Sequence, residues 1–134
     1  GYLHWKAELM TEFDPFETGL GRFVRPGKGE FVGRSALLAR EASGPRKRLV
    51  TLAIDCEDRE AHGGASVMDG RRVVGTVTSG AWGHRTGLNL AMAFVAPECA
   101  GIGARVEIDM AGTCFPAEVI APCPYDPEGA RVRS

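Results

Sequence analysis

Hydrophobic residues recur at every second position over three stretches of this chain, the period at which successive side chains of a β-strand point to opposite faces. In Arg48–Ile54 the alternation puts Val50, Leu52 and Ile54 on one face. In Leu88–Val95 it sets Leu88, Leu90, Met92 and Phe94 against Asn89, Ala91, Ala93 and Val95, so this strand carries small residues on its second face and suits a tightly curved sheet. In Arg105–Met110 it sends Val106, Ile108 and Met110 to the core and the charges to water.

Between the first two stretches lies a hairpin signal. Asp69-Gly70 separates Ser66-Val67-Met68 from Val73-Val74, and Asp-Gly between apolar β-branched runs predicts a two-residue turn. The second strand runs through Val73, Val74, Thr76, Val77 and Thr78, with Gly75 inside it and Ser79-Gly80 ending it. A glycine inside a strand marks a bulge, a barrel corner or a close approach by another group, and a bulge or corner is the favoured reading. Asp55–Gly64 reads as a loop, and Ala111-Gly112-Thr113 turns the chain into a last strand at Cys114–Ile120.

Five or six short strands punctuated by glycine turns predict a mainly β fold, a small antiparallel β-barrel of about six strands over 46–121. Closing such a sheet also removes its unpaired edges. A helical arm precedes it. Asp14-Pro15-Phe16-Glu17 reads as a helix start, with Asp14 as N-cap, Pro15 at N1 and Glu17 reaching back as in a capping box. Gly19 and Gly21 keep that helix short, and Arg25-Pro26-Gly27-Lys28-Gly29 is turn chemistry. A helix is predicted over 34–42, stopped by Ser43-Gly44-Pro45. The expected organisation is therefore an arm and linker at 1–45 followed by the barrel domain at 46–134.

Composition narrows the function classes. At 134 residues, 44% hydrophobic and 25% charged, one domain with a real core is expected. Sixteen basic residues against seventeen acidic ones leave a net charge of −1, which predicts no nucleic-acid partner and no membrane partner through bulk charge. No apolar run approaches the roughly 18 residues of a membrane span, and no signal segment is present, so an intracellular location is expected. The chain opens on Gly1 and runs directly into Tyr2-Leu3-His4-Trp5, so a piece of a longer polypeptide is expected. Cys56, Cys99, Cys114 and Cys123 form no C-x-x-C pair; reduced, mostly buried thiols and no metal site are expected.

Candidate chemistry is sparse. Ser79 lacks the G-x-S-x-G context of a nucleophile, and no Gly-Lys-Ser/Thr follows Gly75–Gly80 to make a phosphate loop. His62 and His84 sit in loops with no carboxylate partner to make either a general base. The Arg46-Lys47-Arg48 cluster has the chemistry to grip a carboxylate or phosphate, although Arg46 and Lys47 read first as a solvated strand start.

A resemblance adds to this. Asp14-Pro15-Phe16-Glu17-Thr18-Gly19-Leu20, then Lys28–Leu37, Arg48-Leu49-Val50, Val74-Gly75-Thr76-Val77-Thr78-Ser79-Gly80 and Leu90–Val95 resemble, in that order, the C-terminal part of the glycine-cleavage T-protein (aminomethyltransferase) family. The opening Gly1–Trp5 and the closing Pro122–Gly129 are closest to the folate-binding halves of dimethylglycine and sarcosine dehydrogenases. The resemblance implies a three-domain disc with tetrahydrofolate in its central hole, where a one-carbon unit from an amine substrate is trapped. It places the acidic residue that guides the chemistry, and most pterin contacts, in an N-terminal portion outside this sequence. It makes 1–45 the tail of the preceding folate-binding domain and implies upstream domains of the same polypeptide as partners, with FAD in a separate one if the dehydrogenase branch applies. A cytoplasmic location follows, or the mitochondrial matrix in a eukaryote. Two residues carry over as cofactor contacts: Arg48, at the start of the first barrel strand, and Tyr125, in the tail. None carries over as catalytic. The competing role is a non-catalytic barrel for interdomain packing or substrate channelling, with Arg48 a domain clamp and Tyr125 a packed tail residue.

Overall fold

The computed structural model describes residues 2–134; Gly1, the first residue of the resemblance at the N-terminus, lies outside them. Six strands close into an antiparallel barrel: β1 (Arg48–Ile54), β2 (Ser66–Asp69), β3 (Arg72–Gly83), β4 (Leu88–Val95), β5 (Arg105–Met110) and β6 (Thr113–Ile120). Their order around the barrel is β1-β4-β3-β2-β5-β6, with β6 returning to β1. A ten-residue helix, α1 (Arg34–Ser43), precedes the barrel, and a single helical turn, α2 (Ala130–Arg133), follows it.

The three alternating stretches all become strands, but β4 turns its small face inward. Asn89, Ala91, Ala93 and Val95 are buried inside, while Leu90 and Met92 lie half-buried on the outer surface. The reason is volume. Across the β1–β4 ladder Leu52 faces Ala91 and Val50 faces Ala93, and across β3–β4 Val77 also faces Ala93. A six-stranded interior is narrow, so bulky inward residues on one strand require small ones on the next. Phe94 breaks the alternation of burial: its outward ring is covered by the arm, stacked on Phe13 with centroids 3.7 Å apart.

The hairpin forms one residue later than the Asp-Gly rule places it. Asp69 pairs with Arg72, leaving Gly70-Arg71 as the two-residue loop, with Gly70 at φ +60°. Glycine alone in the left-handed region at the first loop position is the type II′ arrangement, whose twist matches the flanking strands. Gly75 combines two of the roles open to it. The register shifts beside it, leaving Val74 unmatched on β3. A β-carbon at Gly75 would also run into the Phe94 carbonyl oxygen and stand 2.8 Å from Val95 Cγ1.

The Asp55–Gly64 loop lies along the part of β3 that outruns the shorter β2. Gly64 N–H donates to Val77 O, Glu60 Oε1 accepts the Trp82 N–H at 2.8 Å, and buried Asn89 donates to the carbonyls of Cys56 and Arg59. The edge that would otherwise be open is thus satisfied. Of the four thiols, all free, only Cys56 and Cys99 are buried. Cys114 is exposed because it takes an outward position on β6, opposite Asp109 and one residue from the hairpin turn, and Cys123 is half-buried in the tail.

Because backbone rather than a movable side chain fills the space over Gly75, Gly75→Ala is expected to cost about 2–3 kcal/mol and lower Tm by roughly 8–12 °C. Gly27→Ala, with nothing within 4 Å, should change stability by less than about 0.5 kcal/mol. Thermal melts of the two variants side by side check this.

Candidate functional site

The arm is joined to the barrel by one buried carboxylate. Asp14 Oδ1 accepts the N–H groups of Phe16 and Glu17, and Glu17 Oε2 accepts the Asp14 N–H at 3.1 Å. The reciprocal cap foreseen from the sequence therefore forms, around a single turn that gives way at Gly19 rather than a helix. Glu17 is 1% exposed. Its Oε1 accepts the Arg46 N–H at 3.1 Å and Arg46 Nε at 3.2 Å, and its carbonyl accepts the Leu49 N–H at 2.8 Å. Arg46, though its side chain stays largely exposed, does not stand free: it grips a carboxylate of its own chain, because the arm folds back over the start of β1. Burial works against the Glu17 charge, but the Arg46 guanidinium and the N–H groups of Asp14 and Arg46 outweigh it and hold the carboxyl below its ordinary 4.5.

Two residues further on, Arg48 opens β1 with an exposed side chain. It lines a cleft of about 370 Å³ between the 16–22 turns, the end of α1 and β1, together with Phe16, Arg22, Arg40 and Glu41. Among the described residues Arg48 forms no ion pair. Arg40 Nε stands 4.0 Å from Asp14 Oδ2, and the Arg22 guanidinium lies 4.9 Å over the Phe23 ring. With Arg40 beside Asp14 and Glu41 on the wall, Arg22 and Arg48 are left without an ion pair among the described residues, and they give the cleft positive charge beside an aromatic wall. Such a surface accepts an anion, and Arg suits a carboxylate with two parallel N–H bonds. Arg22 and Arg40 were invisible in the sequence, scattered singly through arm and helix with no spacing that joins them.

Tyr125 is elsewhere. Its ring, 37% exposed, is flanked by the guanidinium carbons of Arg85 at 5.9 Å and Arg131 at 5.6 Å. Arg85 belongs to the turn that leads into β4 at Leu88, whereas Arg48 pairs with Val95 at the strand's other end. Eight residues of strand span roughly 25 Å, and the two residues share no cleft. Elsewhere, His62 and His84 are exposed. Among the described residues no three His, Cys, Asp or Glu side chains come together to hold a metal ion. No helix among them is long and apolar enough to cross a membrane.

Comparison with known proteins converges on one group. Residues 47–126 match the family described as the glycine cleavage T-protein C-terminal barrel domain. The chain is 33% identical over 117 residues to mitochondrial dimethylglycine dehydrogenase of Rattus norvegicus, covering 87% of this chain and 14% of that protein. It is 43% identical over 119 residues to an aminomethyltransferase of Streptomyces coelicolor, covering 85% of this chain and 32% of that one. Among solved structures it is similar to the glycine cleavage system aminomethyltransferase T of Bartonella henselae, with a TM-score of 0.75 and 25% identity over 82% of this chain and 31% of that one. The chain thus spans about a seventh to a third of the length of these relatives.

The Glu17 junction predicts an acid-sensitive arm. A carboxyl held low in the folded state adds stability that is fully present above its unfolded value and lost as pH falls through its lowered folded value. Glu17→Gln is therefore expected to cost about 1–2 kcal/mol near neutral pH. The gap in Tm between variant and wild type should close as pH drops below 4.5. Melting curves of both proteins from neutral to acidic pH check the sign.

Proposed function

The chain belongs to the glycine cleavage T-protein family as a C-terminal barrel domain, and from that premise we propose that it walls one side of a tetrahydrofolate site in a longer one-carbon transferase. The observation that carries this reading is the Arg48 cleft. Tetrahydrofolate ends in glutamate carboxylates, and Arg48, with Arg22 and Arg40 around it, supplies donors of matching charge and geometry. The cleft, about 370 Å³ and open to solvent, would take that end of the cofactor. The remainder of the pocket then comes from upstream domains, with residues 1–45 as the tail of the domain before the barrel. Bound there, the folate would supply a nitrogen nucleophile that accepts a one-carbon unit from an amine substrate. This chain's residues do the anchoring: Arg48 orients the carboxylate end, Phe16 walls it, and the Glu17–Arg46 junction keeps the arm seated so that the three arginines converge. Tyr125, at the far end of β4, is the weaker of the two implied contacts. We assign FAD, where a dehydrogenase branch uses it, to an upstream domain, since this barrel offers no glycine-rich strand–helix turn for a dinucleotide. The compartment proposed is the cytoplasm, or the mitochondrial matrix in a eukaryote.

A second reading, a barrel that serves only interdomain packing, is favoured by the arm. Tyr2 is 99% exposed and Trp5 and Phe23 each 67%, more aromatic surface than a solvated segment needs. The two readings part at Arg48. In the complete enzyme Arg48→Ala is expected to weaken tetrahydrofolate binding about tenfold or more, the worth of a charge-assisted hydrogen bond, while Tm stays within about 2 °C. Unchanged affinity with a lowered Tm would establish the packing role instead.

A further inference from the structure

A groove of about 460 Å³ crosses the outside of the barrel where β1, β6 and β5 lie side by side, at the far end of β1 from Arg48. Register puts its side chains on one face. Ala53 pairs with Glu118 and Glu118 with Arg105, and the three alternate along their strands with buried Ile54, Ala117 and Val106. The Asp55 N–H donates to Pro116 O at 2.8 Å, which carries the β1–β6 pairing one step past Ile54 and sets Asp55 on the same outer face as Ala53. Asp55, Arg105 and Glu118 all line the groove, with Leu88 as an apolar wall and Ala53 and Pro116 as a low floor.

The charges of the groove are not paired with one another. Among the described residues Asp55, Arg105 and Glu118 form no ion pair and no side-chain hydrogen bond, although Arg105 and Glu118 stand directly opposite across the ladder. An exposed pair of this kind is worth little, so a ligand that offers both groups a partner separates them readily. The layout is asymmetric: a guanidinium and a carboxylate side by side, roughly 5 Å apart at their β-carbons, and a second carboxylate on the diagonal, roughly 7–8 Å away. A ligand that answers all three carries a carboxylate and an ammonium on one carbon and a second cation at the end of a short aliphatic chain. We propose that the groove binds a free basic amino acid of the lysine and ornithine class. Its carboxylate lies on Arg105, its α-ammonium on Glu118 and its terminal ammonium on Asp55, while its methylenes cross Ala53 and Pro116 beside Leu88. Two carboxylates against one guanidinium leave the groove one negative charge in surplus, which the single surplus positive charge of such a ligand balances. The volume falls within the roughly 300–1,000 Å³ of small-molecule sites. The groove shares no residue with the Arg48 cleft and is independent of the folate reading.

The test follows the backbone amides of Asp55, Arg105 and Glu118 by NMR in the 134-residue chain while four probes are titrated: lysine, cadaverine without the carboxylate, norleucine without the terminal ammonium, and 6-aminohexanoate without the α-ammonium. Lysine is expected to shift all three amides saturably at about millimolar concentration, and each truncated probe to bind about fivefold or more weakly. Arg105→Gln, Asp55→Asn and Glu118→Gln, all at exposed positions where such changes leave the fold intact, should each weaken lysine by a similar factor. Each should leave unchanged the binding of the probe that already lacks the matching group: cadaverine for Arg105, norleucine for Asp55, 6-aminohexanoate for Glu118. No saturable shift with lysine, or a truncated probe that binds as well as lysine, would overturn the proposal; if that probe were 6-aminohexanoate, the groove would instead be a site for the C-terminal lysine of a peptide. Variants that weaken lysine and the matched probe alike would overturn it as well.

Discussion

A six-stranded barrel has so little interior that neighbouring strands must divide it between them. Here the division is written into the pairing of β1 with β4, where Leu52 and Val50 face Ala91 and Ala93. Everything outside the barrel follows from that choice. With alanines inside, β4 has its bulk on the outer surface, and that surface has to be dealt with along the whole strand. At one end Phe94 is roofed by Phe13 of the arm; at the other, Leu90 and Met92 are bordered by the tail prolines. The arm and the tail are therefore the outer coat that an inside-small strand requires.

The same logic explains why Arg48 is available. The arm reaches the barrel through Glu17, whose carboxylate and carbonyl occupy Arg46 and the Leu49 N–H. Arg46 is consumed by this junction. Arg48, two residues further along the chain where β1 begins, points past it into a concavity that the arm itself creates with Phe16 and Arg22. A chain without the Glu17 contact would hold the same arginines but would not bring them to one cleft. The concavity is a product of the docking of two segments, not of a motif.

That is also why the fold could be read from the sequence further than the site could. Strand periodicity is local, and the register of the barrel follows from it together with turn chemistry. The family resemblance rested on blocks such as Val74–Gly80 that combine both, and the match over residues 47–126 bears it out. Which face of β4 turns inward was not legible, because both of its faces are apolar and only the neighbouring strands decide between them. The capping partners Asp14 and Glu17 could be seen from their spacing, but the third partner, Arg46, is 29 residues away and nothing local points to it. Arg22 and Arg40 were missed for the same reason. Tyr125 was singled out by resemblance alone, and its clamping by Arg85 and Arg131 depends on where the tail crosses the sheet.

The barrel's closure has a kinetic side. β1 gains its second neighbour only when β6 returns to it, Thr51 pairing with Ile120 across most of the domain's length. Such distant pairing is slow to form, since chain entropy is lost before contacts reward it. During synthesis β1 precedes both of its neighbours, β4 and β6, and one flank stays unpaired until the final strand arrives; in that interval its open edge is exposed to wrong partners.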